Sequence, residues 1–280
     1  MRRINSKEIE NLVGDLIRTA NFILPEKVCA KLEKFRETET EDLPRAALQQ
    51  ICENYRVAEN EKLPLCQDCG AAIFFVEIGH EIILSEPIGE ILNRAVEKFY
   101  REFFLRKSIA NPPIFNRKNS GDNLPAFVHL KQISGEKLKI QFVPKGGGSE
   151  NKSRLKMLSP AAGATGVKDF VVETVRAAGG AACPPFLVGV GVGGTFDTVG
   201  GLAKEAILRG VDSQNSDPQF AKLEKEIATE VENLKVGAAG FGGKNFLLGL
   251  NLEFAPCHIA SLPAAVNIQC HVARVATGEI

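Results

Sequence analysis

The chain has 280 residues, 44% of them hydrophobic, and 34 Lys and Arg balance 34 Asp and Glu. That length buries a sizeable core, and a balanced charge with no block of five or more Lys/Arg leaves no electrostatic footprint for a polyanion, so no nucleic acid is expected. The opening stretch MRRINSKEIENLVGDLIRTANFIL mixes charged with apolar residues and is neither a signal-peptide core nor a membrane span. The chain is therefore read as cytoplasmic, with no membrane partner.

The first sixty residues carry a helical pattern. Ile9, Leu12, Val13, Leu16, Ile17 and Ala20 line one face of a helix opened by Ser6, and Pro25 and Pro44 punctuate further short helices up to about residue 62. Cys29 and Cys52 lie in these patterns among apolar neighbours and read as packed thiols. From residue 71 short apolar runs take over: AAIFFVEI and EIILSE, separated by Gly79-His80, predict a strand pair or a strand and turn. A helix is expected over about 88 to 107, on Ile91, Leu92, Ala95, Val96, Phe99 and Phe103. Strand-like PAFVHLKQI and KLKIQFVPK follow, the second running into the glycine loop KGGGS at 145 to 149.

Residues 166 to 178 predict a helix stopped by Gly179-Gly180. AACPPFLVGVGVGGT reads as an apolar strand entering a glycine loop. Asp217-Pro218 is an N-cap followed by proline, and Leu223, Ile227, Val231 and Leu234 carry that helix to Gly237. Glycine-rich turns and strand-like runs complete the chain. With no internal repeat and no linker, the expectation is a mixed α/β fold: one compact domain over residues 1–280, helical in its N-terminal part and with short strands elsewhere.

Gly189, Gly191 and Gly194 match G-x-G-x-x-G, but AILRGVDSQNSD supplies no second strand before Asp212, so a tight strand-to-helix turn is preferred to a nucleotide site. KGGGS lacks the G-K-[ST] order of a P-loop; as a plain loop or a backbone nest for a carboxylate it stays open.

Seven cysteines, an odd number, argue against a complete intrachain disulfide framework. Cys66 and Cys69 form the single C-x-x-C pair, where a zinc ribbon needs two. A thioredoxin-like dithiol begins a helix, whereas this pair precedes a strand. Cys183 before Pro-Pro, Cys257, and Cys270 in NIQCH stand in other turn-like contexts.

Taken together, LCQDCG, KGGGSENKS, AACPPFLVGVGVGGT, GFGGKN and HIASLPAAVNIQCHVAR resemble the iron-sulfur hydro-lyases of the class I fumarase and L-tartrate dehydratase family, specifically the α region, from about residue 10 to the C-terminus. The resemblance implies a [4Fe-4S] cluster on Cys66, Cys183 and Cys270, with the fourth iron open as a Lewis acid. It places Gln67 and Asp68 at the substrate site, with Asp68 the acid for the departing hydroxyl. Arg106 falls where an arginine holds a substrate carboxylate, Gly148 where backbone approaches the substrate, and His258 at a substrate-site histidine. Cys69 stands where the family commonly has threonine or serine and is read as a bystander; Cys257 is read as structural. The family's β region, which supplies further arginines and the base, has no counterpart here. The resemblance thus implies a separate β subunit, an α2β2 assembly, and a small dicarboxylate substrate: fumarate with (S)-malate, or L-tartrate as the alternative. A non-catalytic iron-sulfur or zinc protein is the rival and would need Cys69 or Cys257 as a further ligand.

Overall fold

A computed structural model describes all 280 residues. In chain order the elements are β1 (Arg2–Ile4), α1 (Ser6–Phe22), α2 (Glu26–Thr38), α3 (Asp42–Glu61), β2 (Ala71–Gly79), β3 (Ile82–Leu84), α4 (Ile88–Glu102), β4 (Ala110–Asn111), β5 (Lys118–Asn119), β6 (Phe127–Ile133), β7 (Leu138–Lys145), α5 (Gly147–Glu150), β8 (Arg154–Leu158), α6 (Gly163–Ala178), β9 (Phe186–Gly193), α7 (Val199–Leu208), α8 (Pro218–Glu232), β10 (Leu247–Ala255), β11 (Leu262–Gln269) and β12 (Ala276–Glu279). The mixed α/β class is the one expected from the sequence. Two compact units emerge: Met1–Leu24 with Tyr55–Gly147 and Arg274–Ile280, and Pro25–Asn54 with Gly148–Ala273.

The first unit is built on a four-stranded sheet ordered β12-β7-β2-β6, in which β2 runs antiparallel to β7 and parallel to β6. Helix α1 forms because Ile9, Val13, Leu16, Ile17 and Ala20 bury one face. Its N-cap is Asn5, whose side chain accepts from the Lys7 N–H, rather than Ser6, which is already helical. Helices α1 and α4 pack together, and a Cβ on Gly14 would stand 2.3 Å from Phe99 Cζ, so this close crossing requires glycine. Helix α4 ends at Glu102, five residues before the expected end; Phe104 adopts φ +55° and turns the chain.

Strands β2 and β3 do not pair. The N–H groups of Gly79, His80 and Glu81 donate to the carbonyls of Lys137, Ile133 and Gly135, while β3 lies parallel to β1. The turn is thus spent on a neighbouring loop, and β2 is left to sit between β6 and β7.

The second unit holds a sheet ordered β10-β9-β11-β8; β9 and β10 are parallel and β11 is antiparallel to β9 and β8. Val188 and Val190 join the core formed with α6 and α8. The alternate residues Gly189 and Gly191 face α7: a Cβ there would lie 2.1 Å from Ala203 O and 2.4 Å from Val199 O. These glycines therefore serve helix-on-strand packing, and Gly194, at φ +69°, makes the tight turn preferred from sequence.

Candidate active site

The LCQDCG loop joins α3 to β2 in the first unit. Its carbonyls are held from inside: the hydroxyl of Tyr100 donates to Cys69 O at 2.9 Å and Gly70 O at 3.4 Å, and Asn123 Nδ2 donates to Gly70 O at 3.1 Å. Burial pushes the Tyr100 hydroxyl well above its ordinary value, which keeps it a neutral donor. Gly70 sits at φ +75°, and a Cβ there would stand 2.7 Å from Lys145 N, so both conformation and space demand glycine.

With the backbone so fixed, the Asp68 carboxylate is aimed at three donors. Oδ1 accepts from Gly70 N at 3.0 Å and Ser108 Oγ at 3.4 Å; Oδ2 accepts from Gly147 N at 2.8 Å. The glycine loop thus does offer backbone N–H to a carboxylate, and that carboxylate is Asp68 itself. Half-buried Cys66 accepts the Asp68 N–H on Sγ at 3.4 Å, and Gln67 is exposed beside it. Cys69, by contrast, is 2% exposed within the hydrophobic core, where its sulfur accepts from Arg106 N at 3.2 Å. Burial pushes its thiol up, more than that N–H lowers it. The structure therefore packs Cys69 away, while the Arg106 residue is exposed one turn after α4.

In the second unit, Cys183 ends a short 3-10 turn in left-handed backbone, φ 54° and ψ 63°, and is exposed. Half-buried Cys270 follows β11 directly. Because β11 runs antiparallel to β9, with Gln269 opposite Leu187, the two cysteines share one end of the sheet. The neighbouring His271 secures them: its N–H donates to Cys183 O at 3.2 Å, and its Nδ1 lies 3.2 Å from the same oxygen.

His258 is not with them. It lies in the loop after β10, pinned by Gly194 N–H to Pro256 O, beyond the opposite end of β11. That eight-residue strand, at about 3.3 Å per residue, spans roughly 25 Å. His258 is exposed and its Nδ1 accepts the Ala260 N–H. Cys257 beside it is exposed, its sulfur donating to Ser261 O, which corrects the expectation of a packed thiol. No three His, Cys, Asp or Glu side chains are gathered as a metal centre in the chain.

The other loops are fixed by contacts to distant residues. Gly148 is exposed, and a Cβ there would meet nothing within 4 Å; next to it Glu150 bridges Lys204 and the Asn267 amide. The GFGGKN loop is tied by Glu39, which accepts from Asn245 N and Nδ2 at 3.2 and 3.0 Å. Burial pushes the Glu39 carboxyl up, but N–H groups of Glu41, Thr40 and Asn245 outweigh it and hold it below its ordinary value. Tyr100, Asn123, Ser108 and Glu39 have no signal in the sequence that links them to the loops they hold, whereas Gly147 belongs to the glycine loop that the sequence marks as a possible carboxylate nest.

Cys66, Cys183 and Cys270 are in no disulfide, and thiols are a soft donor set of the kind that holds iron-sulfur clusters. Cys66 already receives one N–H, as cluster sulfurs do. A family model described as fumarate hydratase (Fumerase) matches residues 10–279. The chain is 40% identical, over 98% of both chains, to a Methanocaldococcus jannaschii protein provisionally named L(+)-tartrate dehydratase subunit alpha. It is 30% identical to the L(+)-tartrate dehydratase subunit alpha of Escherichia coli strain UTI89, over 99% of this chain and 93% of that one. The chain belongs to the fumarate hydratase (Fumerase) family of hydro-lyases.

Proposed function

We propose that this chain is the α subunit of a [4Fe-4S]-dependent hydro-lyase that interconverts fumarate and (S)-malate together with a separate β subunit. The family match over residues 10–279 carries this reading, and the names of the two relatives favour L(+)-tartrate as the second reading. Cys66, Cys183 and Cys270 would hold the cluster. When bound, such a cluster supplies Lewis acidity at the substrate hydroxyl.

The chain's own part is to orient substrate and to move one proton. Asp68, in its protonated form, gives its proton to the departing hydroxyl, which leaves as water, and is left as the carboxylate that Gly70, Gly147 and Ser108 anchor. The carbon-bound proton is removed by a base of the β subunit. Arg106 takes a substrate carboxylate, a task suited to its two-pronged guanidinium; Gln67 adds a hydrogen bond, and the open space at Gly148 admits the substrate beside its N–H. His258, beyond the far end of the sheet, serves the site of a second α copy in an α2β2 assembly. The test is to co-express both subunits, load them anaerobically, and assay fumarate, (S)-malate and L(+)-tartrate. Turnover of one pair supports the reading and identifies the substrate; a loaded complex inert toward all three contradicts it.

A further inference from the structure

Arg274, four residues beyond Cys270, is 2% exposed within the first unit. Its Nη2 donates to Asp68 O at 2.5 Å and its Nη1 lies 3.5 Å from Asn21 Oδ1, while its buried Nε has no partner. These partners are neutral oxygens. Burying a guanidinium without a matched carboxylate costs several kcal/mol, a poor choice for stability alone. What it gains is position. Arg274 enters just ahead of β12, which pairs with β7, and β7 runs on to Gly147, whose N–H holds the Asp68 carboxylate. Two adjacent strands therefore grip Asp68 at both ends, one by its carbonyl and one by its side chain.

We propose that Arg274 is a positioning residue for the reaction: its buried guanidinium fixes the Asp68 carbonyl and so sets the direction in which the Asp68 carboxylate and the Cys66 sulfur face. The kinetic consequence rests on the hydro-lyase reading; the loop ordering does not. The Asn21 side chain, which donates to Ile17 O from inside α1, steadies the guanidinium. The Tyr100 and Asn123 contacts to the next two carbonyls continue the same row.

The test is Arg274→Lys, whose single ammonium cannot span both oxygens. In the metal-free chain, hydrogen exchange at the amides of residues 66–70 should rise by about tenfold or more, with exchange in α1 and α4 unchanged. In the loaded complex, kcat per bound cluster should fall by about 100-fold at nearly constant KM, as expected for a group displaced by about 1 Å. Wild-type loop exchange, or a loss of protection spread evenly over the unit, would overturn the proposal. If R274K does not fold, Asn21→Ser removes the oxygen that steadies Nη1 and should loosen the same amides; unchanged exchange there overturns it equally. A wild-type complex without hydro-lyase activity, but with the loop loosened in R274K, would sink the enzymatic reading and leave the anchoring intact.

Discussion

Asp68→Asn separates the two things asked of Asp68, anchoring and proton delivery. The carboxylate accepts backbone N–H on both oxygens, from Gly70 at 3.0 Å and Gly147 at 2.8 Å. An asparagine has one acceptor oxygen, so in either orientation its NH2 faces one of these N–H groups. One charge-assisted bond is lost and two donors are left opposed. At about 1.5–3 kcal/mol for a hydrogen bond to a charged group, the first unit should lose about 2 kcal/mol in urea unfolding. Removing a general acid costs about 10²–10⁴-fold in rate, well beyond what a loss of that size would take from the folded fraction of a stable domain. The assay is the disappearance of fumarate's ultraviolet absorbance with the co-expressed complex, at matched iron content. Full kcat in a fully loaded D68N complex would refute the proton-delivery role. A normal urea midpoint with low kcat would refute the anchoring geometry instead.

Alkylation of the metal-free chain should follow exposure and thiolate character: Cys183 and Cys257 first, Cys52 and Cys69 at least about tenfold slower, since burial both shields Cys69 and pushes its thiol up. Peptide mapping that finds Cys69 as reactive as Cys257 would contradict the packed-thiol reading. Gly189→Ala should destabilise by about 1–3 kcal/mol or more, because its Cβ would press on Ala203 O at 2.1 Å and Ile207 Cγ1 at 2.8 Å; an unchanged unfolding midpoint would contradict the helix-on-strand account. Mixing His258→Ala with Cys66→Ser α chains should restore about a quarter of wild-type activity if each site takes its histidine from the second copy. Activity no greater than the sum of the two parents would place that histidine's role elsewhere.

Much of the local structure is legible in the sequence because local periodicity and caps determine it. The buried face of α1 is the one its spacing predicts, and Asp217 caps α8 through bonds to the Gln219 and Phe220 N–H groups. Strand pairing is not legible. AAIFFVEI and EIILSE look like a hairpin, but the backbone groups of their turn are taken by residues 133–137, which no local pattern reveals. The candidate site divides in the same way. Cys66, Asp68, Cys183 and Cys270 stand out through their motifs, whereas Tyr100, Asn123 and Arg274 reach the loop from distant segments and look ordinary in sequence. His258 shows the complementary hazard: it is only twelve residues from Cys270, yet a whole strand lies between them, so nearness in sequence is not nearness in space.

In the proposed function the thiols of Cys66, Cys183 and Cys270 hold an open cluster. This is tested most directly by reconstituting the chain anaerobically with iron and sulfide, beside the Cys66→Ser, Cys183→Ser, Cys270→Ser and Cys69→Ser variants, and recording the spectrum with malate, fumarate and tartrate added. The expected result is about four irons per chain in the wild type and C69S, loss of the cluster in the other three, and a spectrum moved by one of the acids. A zinc-filled protein, a cluster that survives without Cys183, or one indifferent to all three acids with the β subunit present would contradict it.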